Sequence, residues 1–140
     1  MSLFLIDEDY NMYIYSAFEL TISSELQIPE FQHTNASPNV FIRFGKIELP
    51  ELPYNEPLRI FIPKENGILL YWSDIAAFLI EYGSNVTINS IDGIDENSIR
   101  LLLTGPVIGV LLFQRGYHIF HASVMYSRKI RGAIAFMAAK

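Results

Sequence analysis

S-I-R-L-L-L-T-G-P-V-I-G-V-L-L-F-Q-R-G-Y-H-I-F-H-A-S-V-M-Y-S-R-K-I-R-G-A-I-A-F-M-A-A-K, residues Ser98 to Lys140, is the stretch around which the rest of the chain is read. Its first half is apolar nearly all round, as in a helix covered on several sides. Asp92 or Asp95 supplies the N-cap, and Glu96 suits the positive end of the helix dipole. Pro106 lacks an amide hydrogen, which predicts a kink or restart near Gly105-Pro106. Gly105 and Gly109, four apart, leave room for close approach by another element. Arg115-Gly116 is a strong stop, with a cation in the last turn and a glycine at C′. Two apolar strands follow, Tyr117–Ser127 and Ile130–Ala138, turning at Arg128-Lys129. The second reads as apolar on both faces, as in a covered sheet.

Working back towards the N-terminus, the pattern is β. Asn11–Ser24 alternates apolar and polar positions, with Met12, Ile14, Phe18, Leu20 and Ile22 on one expected face of a single strand. Pro29 ends that pairing, and Gln32–Asn39 is a polar loop. Asn39–Ile47 predicts a second strand, and the three prolines of Leu49–Pro57 an irregular connector. Leu58–Ile62 and Ile68–Trp72 form a hairpin about Lys64–Gly67. Ile75–Ile80 and Val86–Ile88 form another, in which Gly83 and Asn85 can take positive φ. The expected class is α+β: a mostly antiparallel β-sheet, one long buried helix at residues 95–115, then a β-hairpin. The expected division is a β-rich N-terminal domain over 1–94 and a helix-plus-hairpin unit over 95–140.

Composition sets the limits. The chain has 140 residues, half of them apolar, so a substantial core is within reach. It has no cysteine, which excludes disulfides and thiolate metal sites. Acids follow the first apolar residues at once, without the basic region of a secretory signal, and Leu101–Phe113 is short for a bilayer span. A soluble cytoplasmic protein without membrane association is therefore expected. Net charge is −5, unevenly spread: fifteen acids and four cations up to Glu96, then six cations and no acid. The basic end is either a set of solvated loops or a surface for phosphate or an acidic partner. Extended nucleic-acid binding is not expected, because the positive set is small and the remainder repels polyanions.

Few residues carry chemistry. His121 lies mid-strand in the expected hairpin, either as a hydrogen-bonded core histidine or as a general acid/base or phosphate contact. His118 and His33 read as structural or exposed, and His118 with His121 would fall on opposite strand faces, which disfavours a metal pair. Asp92 and Asp95 read as caps, since the other ligands of a calcium loop are missing. Ser123 has neither a nucleophile elbow nor placed triad partners. No complete G-x-x-x-x-G-K-[ST] loop occurs.

Three stretches together resemble the HPr-kinase-like family, bacterial serine kinases related to HPr kinase/phosphorylase, whose nucleotide core is similar to that of phosphoenolpyruvate carboxykinase. They are A-F-E-L-T-I-S-S-E-L-Q-I-P-E-F (Ala17–Phe31), L-L-L-T-G-P-V-I-G-V-L-L-F-Q-R-G (Leu101–Gly116) and H-I-F-H-A-S-V-M (His118–Met125). The resemblance implies that A-I-A-F-M-A is the strand leading into a phosphate loop, with Ala138, Ala139 and Lys140 at its start and His121 beside it. It implies ATP and Mg2+ for an intact family member, which transfers a phosphoryl group to a hydroxyl on a protein or peptide. The loop, its lysine and the downstream metal-binding acid are missing from these 140 residues, so no cofactor is expected here and the chain alone is expected to be inactive. A stand-alone peptide-binding module, using Tyr10, Tyr13, Tyr15, Tyr71 and Trp72, is the competing expectation. A small β-barrel ligand binder is a third. An apolar last strand with an open edge also predicts self-association.

Overall fold

The computed structural model describes residues 12–53 and 55–137. Ten strands and one long helix account for the regular structure among them: β1 (Tyr13–Ala17), β2 (Leu20–Ser24), β3 (Gln32–His33), β4 (Val40–Phe44), β5 (Arg59–Lys64), β6 (Gly67–Trp72), β7 (Ala76–Glu81), β8 (Asn85–Ser90), helix α1 (Glu96–Gln114), β9 (Ser123–Ser127) and β10 (Gly132–Phe136). Eight strands form one open sheet in the order β3-β1-β2-β4-β8-β7-β6-β5, while β9 and β10 pair only with each other. The class is α+β as the pattern predicts. Antiparallel pairs dominate, and only β2–β4 and β4–β8 run parallel. The sheet does not close on itself, so the barrel expectation is corrected.

The expected single strand over Asn11–Ser24 is in fact a hairpin. Phe18 and Glu19 both sit at positive φ, 53° and 60°, and join β1 to β2 in a two-residue turn. Both central residues at positive φ define a type I′ turn, whose backbone twist matches the strands it joins. Its usual signature of Asn or Gly is absent here, which is why alternation ran through it unseen. Phe18 packs edge-on against Phe31, 5.9 Å between centroids, a contact that helps hold the turn. The turn also moves the buried face: Tyr15 is fully buried and Ser16 is exposed.

The two later hairpins fall close to their expected places. β5 and β6 meet at Lys64↔Gly67, and β7 and β8 at Glu81↔Asn85. Gly67 is required by close approach, since an added Cβ would lie 1.9 Å from the Ile80 carbonyl oxygen of the neighbouring strand. The described residues between β4 and β5, 45–53 and 55–58, carry no helix or strand, in keeping with their prolines.

Asp95 caps α1 as expected, accepting from the Ser98 amide at 2.9 Å and the Ser98 hydroxyl at 2.8 Å. The Thr104-Gly105-Pro106 interruption is absorbed by a π-helical turn over Leu103–Val107, in which the Ile108 amide reaches back to the Leu103 carbonyl. The helix ends at Gly116 (φ 91°), with the Gly116 amide on the Phe113 carbonyl and the Tyr117 amide on the Leu112 carbonyl. That pair of bonds is the Schellman arrangement.

Ile99, Leu103, Val107, Ile108 and Leu111 join the same hydrophobic cluster as Ile22, Ile42, Phe78, Ile80 and Ile88 of the sheet. One core therefore spans both sides of the expected boundary at 94/95. The helix is nevertheless not covered all round: Leu101 is 74% and Phe113 68% exposed. By length and composition Glu96–Gln114 is also long and apolar enough to cross a bilayer, a character it shares with core helices of soluble proteins.

Gly67→Ala is expected to lower unfolding free energy in urea by about 3 kcal/mol, as overpacking against rigid backbone does. An unchanged urea midpoint would contradict the β6–β7 approach described. The Ser98 hydrogen bonds hold the Asp95 carboxyl below its ordinary value. Its folded-state pKa being depressed, the stabilisation is present above the unfolded pKa and is lost as pH falls through the folded one. Asp95→Asn should therefore flatten the acid side of the stability profile, read by thermal melts across the carboxylate range.

Candidate functional site: the open helix face and the hairpin

Three sequence features carry the expectations about function, and the structure sends them to different places. Ala17–Phe31 forms a joint inside the fold. Ser24 is buried; its hydroxyl donates to the Leu26 carbonyl at 2.7 Å and accepts from the Leu26 amide at 3.1 Å. Glu25 accepts from the Phe44 amide at 2.7 Å, and Tyr15 accepts from the Ile28 amide at 2.9 Å. The chain is thereby turned out of β2 with its backbone groups satisfied, and Leu26 and Ile28 fill the core.

Gln114-Arg115 is a second joint. The Gln114 side chain accepts from the Gly83 amide at 2.8 Å and donates to the Ile80 carbonyl at 2.9 Å. Arg115 donates to the Gly83 carbonyl at 2.7 Å. The end of α1 is thus fastened to the β7–β8 turn through three side-chain bonds to main chain. Gly83 sits at φ 60°, and an added Cβ would lie 2.9 Å from Arg115 Cγ, so turn conformation and clamp together require glycine. Sequence reading took Arg115 as a helix stop and Gly83 as a turn residue; the bond between them, 32 positions apart, had no local signal.

His121 lies in the connector that precedes β9, not mid-strand, since Tyr117–Ala122 carries no regular structure. The expected strand Tyr117–Ser127 is thus shortened to Ser123–Ser127. His121 is exposed, so the core-histidine alternative is corrected. Together with His118, Ile119 and Phe120 it borders a groove of about 790 Å³ against Gly105, Pro106, Gly109, Val110 and Phe113 of α1. The two small residues face open space: nothing lies within 4 Å of a Cβ at Gly105, and only Ile119 approaches Gly109. Among the described residues, no element fills the gap that their spacing predicts. A second hollow of about 630 Å³ lies beyond Phe113, between the β5–β6 turn and Gln114.

The groove is apolar with two imidazoles, a composition suited to binding more than to chemistry. No cluster of three or more His, Asp or Glu side chains able to hold a metal occurs among the described residues. Ala138, Ala139 and Lys140, placed by resemblance at the start of a phosphate loop, lie outside the described residues, as does Tyr10. The peptide-binding aromatic face is not assembled as expected. Tyr15 is 0% and Trp72 5% exposed, Trp72 packing edge-on against Phe78 and Phe61. Tyr13 and Tyr71 are only partly exposed.

The late cations also divide. Arg100 bonds to the Gln27 carbonyl and pairs with Glu96 at 3.5 Å, and Arg115 serves the clamp. Arg128, Lys129 and Arg131 stand exposed at the tip of the β9–β10 hairpin, Arg131 at φ 49°. The basic end of the sequence is therefore a basic hairpin tip. Compared with protein-family models, curated proteins and solved structures, the chain matches none.

Gln114→Ala is expected to cost about 1–3 kcal/mol in equilibrium unfolding, the scale of leaving a partly buried amide unpaired. It should also raise amide exchange at Gly83. Stability within error of wild type would show that the clamp is not structural.

Proposed function

We propose that this chain is the acceptor-positioning and scaffolding portion of an HPr-kinase-like serine kinase, inactive by itself. In the intact enzyme the γ-phosphoryl group of ATP passes to a hydroxyl of a protein or peptide, with Mg2+ on the phosphates. The observation that carries the reading is the form of residues 96–137. A helix seated on the sheet presents a second, open face, and behind it rises a hairpin whose apolar side chains, Val124, Met125, Ile134 and Phe136, are exposed. On this reading they belong to a second layer, and the three stretches that resemble the family occur in the order the family has them. On this reading His121, open to solvent beside the groove, stands near the phosphates, where an imidazole can accept a proton or contact an anion. The basic hairpin tip, at the far end of β9 from His121, offers a separate patch of positive potential.

The competing reading, a stand-alone binding module, is weakened by the burial of Tyr15 and Trp72. What supports it now is the apolar groove beside His118 and His121, in place of the aromatic face.

Two measurements test the kinase reading, and the first also separates it from the binding module. The reading frame beyond Lys140 is expected to continue into a G-x-G-K-[ST] phosphate loop, and a stop codon there contradicts the kinase reading. In calorimetric titration the 140-residue chain with Mg2+ is expected to show no ATP affinity in the micromolar range. Micromolar binding would mean that a nucleotide site exists without the loop.

A further inference from the structure

The sheet's own edges are defended. β3 is two residues long and polar, and β5 carries Arg59, Pro63 and Lys64 along the other edge. Short length, proline and cations are the usual means by which an edge strand is kept from pairing with another chain. β10, Gly-Ala-Ile-Ala-Phe, has none of them: no charge, no proline, and large side chains exposed. A two-stranded hairpin is marginal in water by itself, and three or more strands are needed for an independently stable sheet.

From these features we infer that β10 pairs antiparallel with β10 of a second copy of this chain, about a two-fold axis at Ala135, giving a four-stranded sheet. The sequence of the strand is complementary to itself in this register. Ala135 faces Ala135, and Ile134 faces Phe136 twice, once on each side of the axis. Within each hairpin Met125 already stands opposite Ile134. Pairing therefore extends an apolar stripe, Met125–Ile134–Phe136 of the partner copy, across the new sheet. Cross-strand pairs of this kind are the unit of sheet stability.

Charge selects the same geometry. Arg128, Lys129 and Arg131 sit at one end of each hairpin. Parallel pairing would bring both basic tips together. Antiparallel pairing sets them at opposite ends of the sheet, about 17 Å or more apart for five residues a strand, beyond the screening length of about 8 Å at physiological salt. An isologous contact of this type closes at two. The inference rests on the hairpin alone and does not depend on the kinase reading.

The chain has no cysteine, so one introduced thiol reports the register cleanly. In Ala135→Cys the two sulfurs meet at the axis, where directly opposed Cα atoms fall within the range a disulfide spans. Val124 lies opposite Ala135 on β9, so the two Val124 positions in the pair stand three strand spacings apart, about 14 Å, too far to bridge. Under diamide, which takes up the two electrons and two protons released by a thiol pair, Ala135→Cys is expected to convert to a disulfide dimer at dilute concentration, and Val124→Cys to lag far behind. Sedimentation velocity on the cysteine-free chain should show a concentration-dependent monomer–dimer equilibrium. Ile134→Lys should abolish that equilibrium while leaving far-UV circular dichroism and the melting temperature of the core unchanged. A monomer at every concentration, or equal crosslinking at the two positions, overturns the inference. Crosslinking of Ala135→Cys to other proteins in a lysate, without the homodimer, would assign the edge to a different partner and likewise overturn it.

Discussion

Seating α1 on the sheet is the constraint from which the rest follows. Ile99, Leu103, Val107, Ile108 and Leu111 are the helix's contribution to a single core, and each side chain of this size stabilises the fold by about 1.5–3 kcal/mol when fully buried. Gln114 and Arg115 then fix the direction in which the helix ends, because their partners are main-chain groups of β7 and the β7–β8 turn. The π-turn at Leu103–Val107 belongs to the same solution. It accommodates Pro106, whose missing amide hydrogen would otherwise interrupt the helix, without breaking the run of buried residues on either side. Once the end of α1 is set, the connector from Tyr117 has a fixed origin, and the hairpin is carried clear of the sheet.

That placement explains the uneven surface. The sheet buries most of its apolar residues, Phe44 and Phe61 being exposed exceptions, and defends both edges, whereas the hairpin and the outer helix face leave theirs exposed. The charge asymmetry acquires a location as well. Some late cations are consumed in fastening α1, and the three around Ile130 gather at the hairpin tip. The positive tip lies at one end of the apolar hairpin, and the apolar groove with His118 and His121 lies at the other.

The sheet was largely legible in the sequence wherever a turn residue announced itself. Gly67 and Gly83 marked two hairpins, the prolines of 49–57 marked the connector, and Asp95 and Gly116 bracketed the helix. Legibility failed where geometry was imposed on residues without the usual preference. Phe18 and Glu19 adopt left-handed backbone because the β1–β2 pairing and the Phe18–Phe31 contact hold them there. The helix was read as covered because Leu101 and Phe113 are apolar, and composition does not say which apolar residue finds a neighbour. The site was legible least. Tyr15 and Trp72, read as surface aromatics, supply volume to the core, and His121, read as part of a strand, lies in a connector. The Gln114–Gly83 clamp joins distant positions through main-chain atoms, which no residue pattern encodes.

The central claim is that the sheet and α1 form one cooperative body from which the β9–β10 hairpin stands apart. Amide hydrogen exchange followed by mass spectrometry tests it most directly, because exchange of core amides reports the whole unfolding free energy and that of separately opening segments reports less. In dilute solution the account predicts matched, slow exchange for β6–β8 and for Leu103–Leu111, with much faster exchange over Ser123–Phe136. Protection of Ser123–Phe136 equal to that of the sheet in dilute monomer would contradict it.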